Sequence, residues 1–198
     1  MHHRPAFAAV LAALLVSVAS PALAQSQLEM NLQAQASAKT ADTKLNSTYK
    51  RLMSGLNQPA QAALVRAELA WIAFRDAECT LVALPYEGGS IQPLMYSTAL
   101  ERLTAARTAE LAASGPGRGD PQADARLNRL YKELRGDLTP AMRKQLQKAQ
   151  LAWIAFRDAE AGFQALRFGG RKGTAIEALT RVRADQLQQH INAGEERP

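Results

Sequence analysis

Cysteine is nearly absent: Cys79 stands alone in 198 residues, so no intramolecular disulfide can form and stability must come from burial and helix packing. Histidine is almost as scarce. Two of the three, His2 and His3, lie in the first residues, which leaves His190 and excludes a histidine-rich metal site. Neither a glycine-rich phosphate loop nor zinc or calcium spacing occurs, so no cofactor or metal is expected. The alternation of a sustained strand is missing, and beyond the first two dozen residues no apolar run is long enough to cross a bilayer. A nucleophilic enzyme is also disfavoured, because Cys79 becomes Ala161 at the equivalent position and the one remaining histidine lies far away in the chain.

What is there is a repeat. Leu69-Ala70-Trp71-Ile72-Ala73-Phe74-Arg75-Asp76-Ala77-Glu78 recurs letter for letter from Leu151 to Glu160. At an offset of 82 the copies align without a gap from Ala41/Ala123 to Glu78/Glu160, with 20 identities in 38 positions, which establishes a tandem duplication.

The first residues read as an address. Met1-His2-His3-Arg4 is basic, Ala6 to Ala19 is apolar but short, and Ala22-Leu23-Ala24 suits signal cleavage. The expectation is a signal peptide over 1–24, cleaved after Ala24, with no following cysteine for lipid attachment and a periplasmic or secreted product. From Gln25 to Ala113 eight Lys or Arg meet eight Asp or Glu, whereas from Ser114 onward 15 meet 10. A basic second half suits an anionic envelope component or simply a solvated helix surface; nucleic acid is not an expected partner.

The remaining pattern is helical throughout. Gln25 to Lys39 has high helix propensity, and Leu45, Tyr49, Leu52 and Leu56 form the stripe of a second helix over 41–56. Gln61 to Leu84 places Leu64, Ala67, Trp71, Phe74 and Leu81 on one face. A helix from about Ile91 to Ala113 carries Leu100, Leu103, Ala106 and Leu111. Ser114-Gly115-Pro116-Gly117 opens a linker to Gln122; Thr139-Pro140 then caps a long helix through the second decapeptide, and a last helix spans about 174–192. These elements predict an all-α helical bundle of two small antiparallel units of about three helices each. The units are 25–113 and 123–198, joined by 114–122, and the second lacks the leading helix.

Trp71 and Phe74, with Trp153 and Phe156, are expected to build the core of each unit. Arg75 and Glu78 stand at i, i+3 and can pair, as can Arg157 and Glu160, while Asp76 and Asp158 point elsewhere. These charges read as helix-locking rather than catalytic, since two acids two residues apart diverge on a helix. Gly88-Gly89-Ser90 is the most suggestive exposed element, a loop whose glycines permit a close backbone approach, or else an ordinary turn between helices. Cys79 is expected to be buried.

Several elements occur together in one order: Glu29-Met30-Asn31; Ala41-Asp42 with Leu45-Asn46 and Tyr49; Ala70 to Cys79; Gly88-Gly89-Ser90; and Thr104-x-x-Arg107. This series resembles the LprI-like lysozyme inhibitor family, and the second unit repeats it from Ala123 to Glu160 and at Thr180-x-x-Arg183. The resemblance implies a small helical exported domain that binds lysozyme and is not an enzyme. It also implies further cysteines, where this chain has Ala99 and Ala161. On that footing the Pro85 to Ser90 loop is expected to enter the lysozyme cleft, its backbone or the Ser90 hydroxyl bonding the catalytic carboxylates. Because C-type lysozymes are basic, the near-neutral first unit is the one expected to face the enzyme.

Overall fold

Residues 22–54 contain neither proline nor glycine, and nothing interrupts their helix. In the computed structural model, which describes residues 21–195, they form one element, α1 (Pro21–Ser54). Residues 1–20 of the expected leader lie outside the described residues, and Pro21 to Ala24, with the expected cleavage site, form the start of this helix. The two helices expected over 25–39 and 41–56 are therefore one. Lys39-Thr40-Ala41 contains no breaker, and the Thr40 and Thr43 hydroxyls donate back to the Ala36 and Lys39 carbonyls at 3.0 Å.

Gly55 follows the end of α1, and Asn57 then caps α2 (Gln58–Ala83), its side chain accepting from the Ala60 N–H at 3.1 Å. A short 3₁₀ turn, Leu84–Tyr86, leads through the glycine loop to α3 (Gln92–Ala112). The second half repeats the plan with α4 (Ala123–Asp137), α5 (Pro140–Phe168) and α6 (Lys172–Glu195). Thr139 caps α5 through the Met142 N–H, and Gly169, at φ 67, closes it in the left-handed conformation. The described residues contain six helices and no strand, and the fold is all-α.

Packing follows a palindrome. α1 lies on α3, α3 on α2, α2 on α5, α5 on α6 and α6 on α4. The most extensive contact joins the two decapeptide helices to each other. They run in opposite directions: Leu81 near the end of α2 shares a cavity wall with Met142 at the start of α5, Gln145 donates to the Ala77 carbonyl at 2.7 Å, and Phe74 meets Phe156. An approximate twofold axis thus passes between the phenylalanine rings, which stack at 6.0 Å with planes 3° apart.

This arrangement corrects one expectation. Trp71, Phe74, Trp153 and Phe156 do not build a core for each unit; all four are buried in a single cluster that takes residues from both halves. Leu64, Ala67 and Leu81 are buried on the same face of α2, as the spacing predicts. Burying the four rings contributes about 2–3 kcal/mol each before entropy is counted.

Candidate functional site

Glu78 closes the first decapeptide, and one helical turn separates it from Phe74, so the face that buries the ring also buries the carboxylate. Glu78 is fully buried, and its partner is Arg183 of the other half at 2.9 Å. The reciprocal contact exists as well: Glu160 meets Arg107 at 2.7 Å. Arg107 also lies 5.1 Å over the Phe156 ring, and Arg183 lies 5.1 Å over Phe74. Each arginine therefore crosses the twofold axis to hold the decapeptide of the opposite copy. Arg107 and Arg183 stand 76 residues apart rather than 82 because the stretch from Glu160 to Arg183 is six residues shorter than that from Glu78 to Arg107.

The expected pairing of Arg75 with Glu78 does not occur. Arg75 lies 5.1 Å over the Trp71 ring one turn back and pairs with Asp76 at 2.8 Å, and Arg157 does the same with Trp153 and Asp158. Helical side chains lean toward the N-terminus, so Arg75 reaches Trp71 and leaves Glu78 to the neighbouring helix. Asp76 and Asp158 are half exposed.

The two arginines differ in what surrounds them. Arg107 meets three carboxylates: Glu68 at 2.6 Å, Glu110 at 3.0 Å and Glu160 at 2.7 Å. At the matching positions Arg183 meets Gln150 at 3.2 Å and Gln186 at 3.0 Å, with Glu78 its one carboxylate. Burial raises Glu68 and Glu110 above the usual carboxylate range, offset only in part by Arg107. Burial also opposes ionisation of Glu78, but Arg183 and His190 outweigh it and bring that carboxyl down to about 2. His190 has no counterpart in the first half, and its Nε2 lies 2.6 Å from Glu78 Oε1. On Glu160 the corresponding second contact is made by the Gln164 amide at 3.0 Å.

Cys79 is buried against Ala99 and Leu103, and burial pushes its thiol up to about 12, which leaves it an inert small side chain. Ala161, Ala175 and Leu179 form the matching cluster in the other half. Ala99, where the family resemblance implies a cysteine, therefore shares a cluster with Cys79, and Ala161, where it implies another, lies in the matching cluster.

Gly88, Gly89 and Ser90 are exposed. Gly88 has φ +76, a value that favours glycine, and a Cβ on Gly89 would lie 3.2 Å from the Tyr86 carbonyl. The loop is held from within and from outside. The Gly88 N–H donates to Gln92 Oε1 at 3.2 Å, the Gly89 N–H to the Tyr86 carbonyl at 3.0 Å, and the Asn31 amide to the Ser90 carbonyl at 3.0 Å. Two backbone donors expected to face a partner are thus turned inward. Asn31 sits in the part of α1 that has no equivalent in the second half, on a turn that exposes Leu28 and Leu32 by 57% and 55%. Such solvent-facing leucines beside a fixed loop give the surface apolar character next to hydrogen-bonding groups.

Sequence reasoning assigned no role to Asn31, Glu68, Glu110, Gln150, Gln186 or His190. Arg107 and Arg183 carried a signal, since both stand in a repeated Thr-x-x-Arg, although the sequence did not say which glutamate each would meet.

A duplicated all-α bundle with arginines exchanged across its midline is the class of protein these features define. The chain belongs to the lysozyme inhibitor LprI family, whose model matches residues 19–111 and 121–190. It is 33% identical over 127 residues to an uncharacterised protein of Rhizobium meliloti (strain 1021), a match covering 52% of this chain and 91% of that one. The crystal structure of an uncharacterised protein from Burkholderia thailandensis shares the fold, with a TM-score of 0.55, 20% identity and 84% of each chain covered. Among the described residues no helix is long and apolar enough to cross a membrane.

Proposed function

We propose that this chain is an exported envelope protein that binds lysozyme and obstructs its substrate cleft with the loop from Pro85 to Ser90. One observation carries the reading: Asn31 and Ser90, which belong to two separate elements of the family pattern, meet at 3.0 Å on the surface of the first half. The α1 turn with Leu28 and Leu32 supplies apolar area beside the loop. With the Gly88 and Gly89 amides engaged internally, the Ser90 hydroxyl, which makes no hydrogen bond among the described residues, is the side-chain donor of the loop that meets a lysozyme carboxylate. Obstruction is steric, and no residue of this chain acts as a catalyst.

A lysis assay on bacterial cells with residues 25–198 at micromolar concentration tests the proposal. Lysis is expected to slow in proportion to added protein, and Leu28→Asp with Leu32→Asp is expected to remove at least nine-tenths of the effect. Undiminished lysis at micromolar wild-type protein contradicts it.

A second reading rests on a different surface. Arg129, Lys132, Arg135, Lys144 and Lys148 are exposed around the α4–α5 turn, and none has a carboxylate within 4.0 Å among the described residues. An anionic envelope component would bind there, with affinity falling steeply as salt is raised.

A further inference from the structure

Where the end of α2 meets the α4–α5 junction and the last turns of α6, the structure holds a partly open cavity of about 450 Å³. Leu81, Met95, Leu134 and Met142 supply much of its wall, and its polar side chains are Tyr86, Asp137 and His190. This volume lies within the about 300–1,000 Å³ usual for small-molecule sites.

His190 gives the wall its chemistry. Its Nε2 is committed to Glu78 at 2.6 Å, and since that carboxylate is ionised the Nε2 proton is donated to it. Nδ1 makes no hydrogen bond among the described residues, and a hydroxyl, which both donates and accepts, pairs with it in either protonation state. Asp137 is exposed at the rim and repels a carboxylate head group.

The duplication supplies an internal comparison. The position of Leu81 is taken in the other half by Phe163, which is fully buried, and the position of His190 by Ser114, which is exposed. The space and the histidine therefore occur together at one end of the bundle.

We propose that this cavity binds a medium-chain aliphatic alcohol, its chain packed between Leu81, Met95, Leu134 and Met142 and its hydroxyl hydrogen-bonded to His190 Nδ1. The cavity shares Pro85 and Tyr86 with the loop proposed to meet lysozyme, and its occupancy is read in the absence of lysozyme.

Methionine-methyl NMR of the whole protein, titrated with 1-nonanol, tests it. Met95 and Met142 should shift saturably while Met30 and Met53, which lie outside the cavity, stay fixed. Affinity should rise about fourfold per added methylene from hexanol to nonanol. Nonanoate should bind at least tenfold more weakly than nonanol. Leu81→Phe, copying Phe163, should abolish the shifts while leaving Met30 and Met53 and the far-UV circular dichroism unchanged, and His190→Ala should cost about tenfold in affinity. Equal shifts at all four methionines, no saturation, or binding seen only after residues 195–198 are removed would overturn the assignment.

Discussion

Glu78→Gln and Glu160→Gln are the same substitution at equivalent positions of identical decapeptides, and the structure predicts different costs. Glu78→Gln leaves the Arg183 guanidinium fully buried with Gln150 and Gln186 as its remaining partners, both neutral. An uncompensated buried charge of this kind costs about 3–5 kcal/mol. Glu160→Gln leaves Arg107 with Glu68 at 2.6 Å and Glu110 at 3.0 Å, so the charge stays compensated. The lost charge-assisted bond is worth about 1.5–3 kcal/mol, and relief of repulsion among three crowded carboxylates offsets part of it. The expected loss is about 1 kcal/mol. Urea unfolding at neutral pH, followed by circular dichroism and tryptophan fluorescence, reads both values. A difference below about 0.5 kcal/mol, or the reverse order, refutes the reasoning.

The pH dependence has two limbs. Glu78 lies below its ordinary value of 4.5, so its stabilisation is complete above that value and is lost as pH falls toward about 2; over that range about 3 kcal/mol should disappear, and Glu78→Gln should remove the limb. Glu68 and Glu110 lie above theirs, so their contribution is complete below 4.5 and declines as pH rises through the raised values; Glu68→Gln with Glu110→Gln should flatten that decline in urea midpoints measured against pH. Ala99→Cys should form a disulfide with Cys79 when refolded under oxidising conditions. Thiol titration should then find no free cysteine, and stability should rise by about 3 kcal/mol for a loop of this length; persistent free thiols would contradict the packing. Leu69→Gln and Leu151→Gln should each cost less than about 0.5 kcal/mol, because these decapeptide positions are 65% and 60% exposed, while Phe74→Ala should cost about 3–5 kcal/mol in the same unfolding assay.

Local pattern carried the helices well. The buried face of α2 from Leu64 to Leu81 follows from spacing, and the cap at Thr139 from the pair Thr139-Pro140, whereas the cap at Asn57 emerges only in the structure. Ala41, where the repeat begins, does not mark the start of a helix, because no residue from Lys39 to Ala41 stops one. In α3 the apolar stripe was misplaced: Ala106 is exposed, while Thr104, Arg107 and Thr108 are buried. A buried arginine looks like a surface residue until the carboxylates that neutralise it are located. Which copy those carboxylates come from is invisible in the sequence, since the nine residues before Glu78 and before Glu160 are identical. The contact between Asn31 and Ser90 joins residues 59 apart on different elements, and periodicity says nothing about such meetings.

Competition for the lysozyme cleft tests the functional account most directly. Binding of the protein to a C-type lysozyme is measured by calorimetry, alone and with the cleft saturated by a chitooligosaccharide. The account predicts one-to-one binding of micromolar affinity or tighter, weakened at least tenfold by the saccharide and by Ser90→Pro. Absence of binding, or binding that the saccharide leaves unchanged, contradicts it.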